Sequence, residues 1–206
     1  MAEIVPLPLQ ATLQISIAVD FVHSQGVGIG ITQKATTPTA RVDTGCIQAT
    51  TTEEINLGIP RERMATEGIK TALNARLLAI LHALGLARRT IRKQGVRSKP
   101  QIRRVELVCD SEKVVEMVKH HVEHAPESYE GVKGRKLVKK VVAGVERLSR
   151  WGLRVSLVVA GRNGRDKIAA RARTLARQKG SKACRDRRRH LQQARNIGEG
   201  AAQDEG

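Results

Sequence analysis

The run Arg104-Val105-Glu106-Leu107-Val108-Cys109-Asp110-Ser111 constrains this chain more than any other stretch. A short β-branched segment ends in an aspartate, and helical periodicity begins at once, with Val114, Val115, Val118 and Val122 at three- and four-residue spacing. Ser111 stands where a helix N-cap is expected. The pattern is a strand feeding a helix, with a carboxylate at the strand's C-terminal end. In open α/β sheets, ligands and chemistry collect at such ends.

Other segments supply partners for this unit. Leu13 to Val19 alternates as a strand and ends in Asp20. Val27 to Thr32 is a second strand. Its GVGIG lacks the full GxGxxG and precedes no helix, so it reads as a glycine-thinned hairpin strand rather than a dinucleotide loop. A third strand is expected around Arg41 to Ala49, with another short one from Glu54 to Ile59 ending at Pro60.

From Thr66 to Ala87 the period becomes helical, with Ile69, Leu73, Leu77, Ile80, Leu81 and Leu84 on one face, running out near Gly85. Residues 88–104 read as a basic connection free of acids, carrying Arg88, Arg89, Arg92 and Lys93. A later helix turns Leu137, Val141, Val145 and Leu148 inward and Lys136, Lys139, Lys140 and Arg147 outward, and Trp151-Gly152 stops it. Leu153 to Ala160 reads as a buried strand. A turn through Arg162 leads past Arg165 to Asp166 and a last helix with Ile168, Ala172, Leu175 and Ala176 inward.

This order predicts an α/β fold, a mixed five-stranded sheet with strands 1–3 antiparallel, strands 4 and 5 parallel, and helices on both faces. The domain is expected over 11–178. Residues 179–206 read as a disordered basic tail with an acidic end, because the apolar period is lost beyond Gln178.

Charge narrows the partner. Lys and Arg number 37 against 20 Asp and Glu, a formal net charge of +17, which points to a polyanion and so to nucleic acid. One Phe, one Tyr and one Trp leave an aliphatic core and little aromatic surface for stacking bases. Cys46, Cys109 and Cys184 form no CxxC pattern, which favours a reducing compartment. No secretory leader or membrane span is expected, and an intracellular location, nuclear or cytoplasmic, follows.

If the first and fourth strands are neighbours, Asp20 and Asp110 lie at carboxyl ends in one crevice, and Asp166 can reach it from a helix start. Three carboxylates at one edge call for a cation, and oxygen-only ligands favour Mg²⁺ or Mn²⁺. Two such ions are the usual device for in-line phosphodiester hydrolysis.

These residues resemble the type 1 ribonuclease H domain, in its diverged fungal and retroelement form, over about Leu13 to Arg177. Asp20 before the glycine-rich strand is similar to the family's first catalytic aspartate. Cys109-Asp110-Ser111 is similar to its "TDS", Ala75 to Leu84 to its "AELLAI-x-x-AL" helix, and Arg165 to Ala172 to its closing "AD-x-LA-x-x-A" helix. The resemblance implies a ribonuclease H-like fold and Mg²⁺-dependent cleavage of RNA in RNA/DNA hybrids. Asp20, Asp110 and Asp166 would be both catalytic residues and metal ligands. Arg88, Arg89, Arg92, Lys93, Lys136, Lys139, Lys140, Arg162 and Arg165 would hold phosphates of an RNA/DNA hybrid or double-stranded RNA.

The sequence also departs from the family. Arg76 stands where the catalytic glutamate belongs, Phe21-Val22 follow Asp20 in place of Gly-Ser, and Gly161-Arg162 replaces the loop Gly-His. At about 4 Å and an effective dielectric near 20, each unit-charge repulsion between Arg76 and a metal is worth ~4 kcal/mol, enough to weaken or empty the site. Glu67 lies nine residues earlier, roughly 13 Å along the helix axis, and replaces the lost acid only if the helix register shifts. Two alternatives stay open: Arg76 is a solvent-facing residue with the acid elsewhere, or the chain is a non-catalytic assembly module acting through its basic tail. His120 and His124, one turn apart with no third ligand in view, read as an exposed helix face.

Overall fold

A computed structural model of the chain describes residues 11–22, 26–36, 50–66, 69–94, 102–124, 129, 131–160, 169–182, 185, 189 and 192. Its elements are β1 (Ala11–Val22), β2 (Gly26–Thr36), β3 (Thr50–Pro60), the short α1 (Arg61–Met64), α2 (Ala72–Gln94), β4 (Ile102–Cys109), α3 (Glu112–Glu123), α4 (Arg135–Ser149) and β5 (Arg154–Val159). A last helix, α5, is helical over 169–182.

The five strands form one sheet in the order β3-β2-β1-β4-β5. β1, β2 and β3 pair antiparallel, and β4 and β5 run parallel to β1. This is the mixed sheet that the element order predicts. Its third strand is the 50–60 segment, and the strand expected around Arg41 to Ala49 lies outside the described residues.

Alternation along β1 assigns the two faces. Leu13, Ile15 and Ile17 enter the main core with Leu77 and Ile80 of α2, Val114 and Val118 of α3, and Val141 and Val145 of α4. Ala18 points the other way and clusters with Ala172 and Ala176 of α5. Helices therefore cover both faces.

α2 corrects the sequence reading at both ends. It begins at Ala72, where the Thr71 hydroxyl accepts the Asn74 N–H at 3.3 Å as a cap. It then continues through Gly85 to Gln94, because buried Leu86 and Ala87 keep its apolar face going. Arg88, Arg89, Arg92 and Lys93 consequently ride on a helix rather than on a connecting loop.

α5 lies unusually close to the sheet. A Cβ on Gly28 would collide with the carbonyl oxygen of Ala176, and one on Gly30 with that of Ala172. The glycines of β2 are thus where a helix backbone meets a strand, in a hairpin as expected. On the edge strand, Arg171 donates from Nε and Nη2 to the two Glu54 oxygens at 2.8 and 2.9 Å. That hydrogen bonding lowers the Glu54 carboxyl below its ordinary value.

Helical structure also passes the boundary expected at 178. Residues 179–182 are helical and Gly180 is buried. Of the remaining segment, 185, 189 and 192 are helical and the rest lies outside the described residues.

Candidate functional site

Parallel pairing of β1 with β4 fixes the position of the carboxylates. Ile17 pairs with Cys109, so Asp110 is one residue past that rung and Asp20 three past it. Both aspartates therefore stand on the same rim of the sheet, at the C-terminal ends of neighbouring strands. Asp166, the third expected ligand, lies outside the described residues, as do Arg162, Arg165 and Glu67.

Asp20 also borders α5. It pairs with Gly28 across the β1–β2 hairpin. A Cβ on Gly180 would come within 2.5 Å of its Oδ2. Helix backbone thus closes one side of this carboxylate.

At the start of α2, the buried neighbours Ala75 and Leu77 anchor the helix and leave Arg76 facing the rim. Its Nε–H donates to Asp110 Oδ1 at 3.2 Å, with the two side chains 28% and 25% exposed. Cys109 Sγ lies 3.8 Å from the same oxygen. Burial is the main cause that pushes this thiol up to about 11. Ser111 occupies the N-cap position of α3 with extended backbone, although its side chain makes no capping bond.

Asp20 and Asp110 bring two carboxylates to this rim, and Asp110 accepts a guanidinium N–H there. A divalent cation bound at Asp110 would lie against the Arg76 guanidinium and be repelled by it. Arg76 supplies the positive charge that a cation would otherwise bring. Among the described residues no group of three His, Cys, Asp or Glu side chains is placed to hold a metal ion. His120 and His124 stack on each other at 4.9 Å instead.

The cations form a separate surface. α2 and α4 lie side by side: a Cβ on Gly134 would touch Asn74 and Leu77, and one on Gly144 would touch Leu84. Between them runs a groove of about 310 Å³, floored by Leu81, Leu84 and Leu148 and edged by Arg88, Lys140 and Arg147. Arg89, Arg92, Lys93, Lys136 and Lys139 are exposed on the same two helices. Lys139 Nζ sits 5.6 Å above the Tyr129 ring. From Arg76 to Arg92 the helix rises roughly 24 Å, so positive charge continues from the rim toward the opposite end of the sheet.

Sequence reasoning missed Gly180. Its signal was a four-residue spacing of small residues, Ala172, Ala176 and Gly180, on one side of a helix.

No family model and no curated protein matches the chain. Several solved structures are similar to it. One is RNase H1 from the halophilic archaeon Halobacterium salinarum NRC-1, at 16% identity and a TM-score of 0.45, with 82% of this chain and 96% of that one covered. A second is LC11-RNase H1 in complex with an RNA/DNA hybrid, at 13% identity and 0.43, covering 81% and 97%. The third is the foamy viral protease-reverse transcriptase in complex with an RNA/DNA hybrid, at 15% identity and 0.47, covering 87% of this chain and 21% of that one.

Proposed function

We propose that this chain is a nucleic-acid-binding domain of ribonuclease H type whose cleavage activity is weak or lost. Its sequence resembles an ancestor that cut the RNA strand of RNA/DNA hybrids with Mg²⁺ or Mn²⁺. The observation carrying the reading is the Arg76 Nε–Asp110 Oδ1 contact at 3.2 Å. A cation occupies the position that needs a metal-binding carboxylate, and it does so facing a retained aspartate.

The binding half of the proposal rests on electrostatics. A chain with net charge +17 attracts a duplex by releasing its counterions. The exposed Lys and Arg side chains of α2 and α4 suit phosphates on a rigid scaffold better than scattered surface charge does. An RNA/DNA hybrid or double-stranded RNA is the expected ligand, held by its backbone rather than by its bases.

A hybrid-cleavage and binding assay in Mg²⁺ or Mn²⁺ tests both halves, using the unmodified chain, Arg76→Glu and Asp110→Asn. The expected result is hybrid binding by all three and metal-dependent cleavage only after Arg76→Glu. Cleavage by the unmodified chain that survives Asp110→Asn would dispose of the site, and failure to bind any duplex would dispose of the function.

A further inference from the structure

Trp151 and Val159 are the large apolar side chains that stay exposed among the described residues, Trp151 at 39%. Phe21 and Tyr129, the chain's other two aromatic side chains, pack against the core. The exposure of Trp151 is built into the backbone. Gly152 takes φ +76 and donates its N–H to the Ser149 carbonyl, while Leu153 donates to Leu148. This pair of bonds is a Schellman motif ending α4, and it buries Leu153 against Leu148 while holding Trp151 at the turn.

Two arginines lie at this turn. Arg92, from the end of α2, places its Cζ 5.4 Å from the ring centroid. Arg103 Nη1 comes within 3.8 Å of where a Cβ on Gly152 would lie. The cluster lies at the N-terminal ends of the parallel strands, the opposite end of the sheet from Asp110.

We propose that this corner is a second nucleic-acid site, specific for single strands. An unpaired base stacks on the indole, and the flanking phosphates meet Arg92 at the end of α2 and Arg103 at the start of β4. A fixed aromatic face beside cations is the arrangement that holds single strands with little regard to sequence. A paired base, already stacked in its duplex, cannot use it. The inference rests on the nucleic-acid reading above and adds a strand-binding site to it.

Position 151 holds the chain's single Trp, so its emission reports on this corner alone. The unmodified chain is titrated with a single-stranded DNA oligonucleotide, with a blunt RNA/DNA hybrid and with inorganic polyphosphate. Labelled-strand anisotropy is followed in parallel, also for Trp151→Leu and Trp151→Phe. The single strand is expected to quench the emission at the same midpoint as the anisotropy change, and polyphosphate is expected not to. Trp151→Leu should weaken strand binding about tenfold, with Trp151→Phe retaining most of the affinity. Strand binding with unchanged emission, equal quenching by polyphosphate, or full affinity in Trp151→Leu would each overturn the proposal. Hybrid binding with a silent Trp151 in the presence of single strand overturns this site alone, whereas absence of binding to any nucleic acid overturns the underlying reading as well.

Discussion

Arg76 and Asp110, 34 residues apart in sequence, meet at 3.2 Å where α2 begins and β4 ends. A partly exposed ion pair of this kind stabilises a fold by no more than about 1 kcal/mol. At about 4 Å and an effective dielectric near 20, the same guanidinium would repel a bound cation by ~4 kcal/mol per unit charge. Its effect on metal binding therefore outweighs its effect on stability.

Arg76→Ala should accordingly change unfolding free energy by less than about 1 kcal/mol. Arg76→Glu should lower the melting temperature in EDTA, by placing a second negative charge against Asp110, and Mn²⁺ should restore it. The unmodified chain should show no Mn²⁺-dependent shift. A thermal shift of equal size in both proteins would mean that Arg76 does not control the rim.

The Cys109 thiol, raised by burial from 9.0 to about 11, predicts a pH dependence of stability. Between those values the unfolded thiol ionises while the folded one keeps its proton. The unfolded state then binds fewer protons, so stability falls as pH rises through the window, by up to ~1.4 kcal/mol per pH unit. Urea unfolding of the unmodified chain and Cys109→Ala across the window checks this, and the substitution should remove that part of the slope. In the native state at neutral pH, Cys109 should resist alkylation.

Two glycines should respond to alanine in opposite directions. At Gly30 the new methyl meets the Ala172 carbonyl oxygen and comes within 2.7 Å of the Ala176 nitrogen. Gly30→Ala should cost about 1–3 kcal/mol as α5 is pushed outward. At Gly85 nothing lies within 4 Å, and Gly85→Ala should stabilise α2 by up to ~1 kcal/mol. Urea midpoints at constant slope measure both.

Removing residues 183–206 while leaving α5 in place deletes five arginines. Duplex affinity should fall, and the dependence of log K on log salt should flatten by somewhat under one unit for each phosphate that these arginines neutralise. An unchanged salt slope would confine binding to the helical surface.

Much of this architecture was legible in the sequence because apolar period and charge coincided. The β4–α3 unit and the rim shared by Asp20 and Asp110 follow from a β-branched run, a carboxylate and a valine stripe. Reading failed where contact is made without an apolar side chain. Gly180 meets Asp20 through a bare backbone, so the helix carries no apolar marker there. The basic residues 88–93 read as a loop by charge, although Arg and Lys are good helix formers and Leu86, Ala87 and Ile91 keep an apolar face beneath them. Arg76 was legible as a departure, but its contact with Asp110 required the crossover geometry.

Seating α5 on Gly28, Gly30 and Ala18 also sets the order of events at the ribosome. The strands it shields are made first, and the helix that shields them emerges after them. During synthesis the side of the nascent sheet that α5 covers waits until residues 169–182 have left the exit tunnel, a period in which it is open to wrong pairing. Ribosome stalling before residue 169 should therefore trap a nascent chain far more prone to chaperone capture than one released after residue 182.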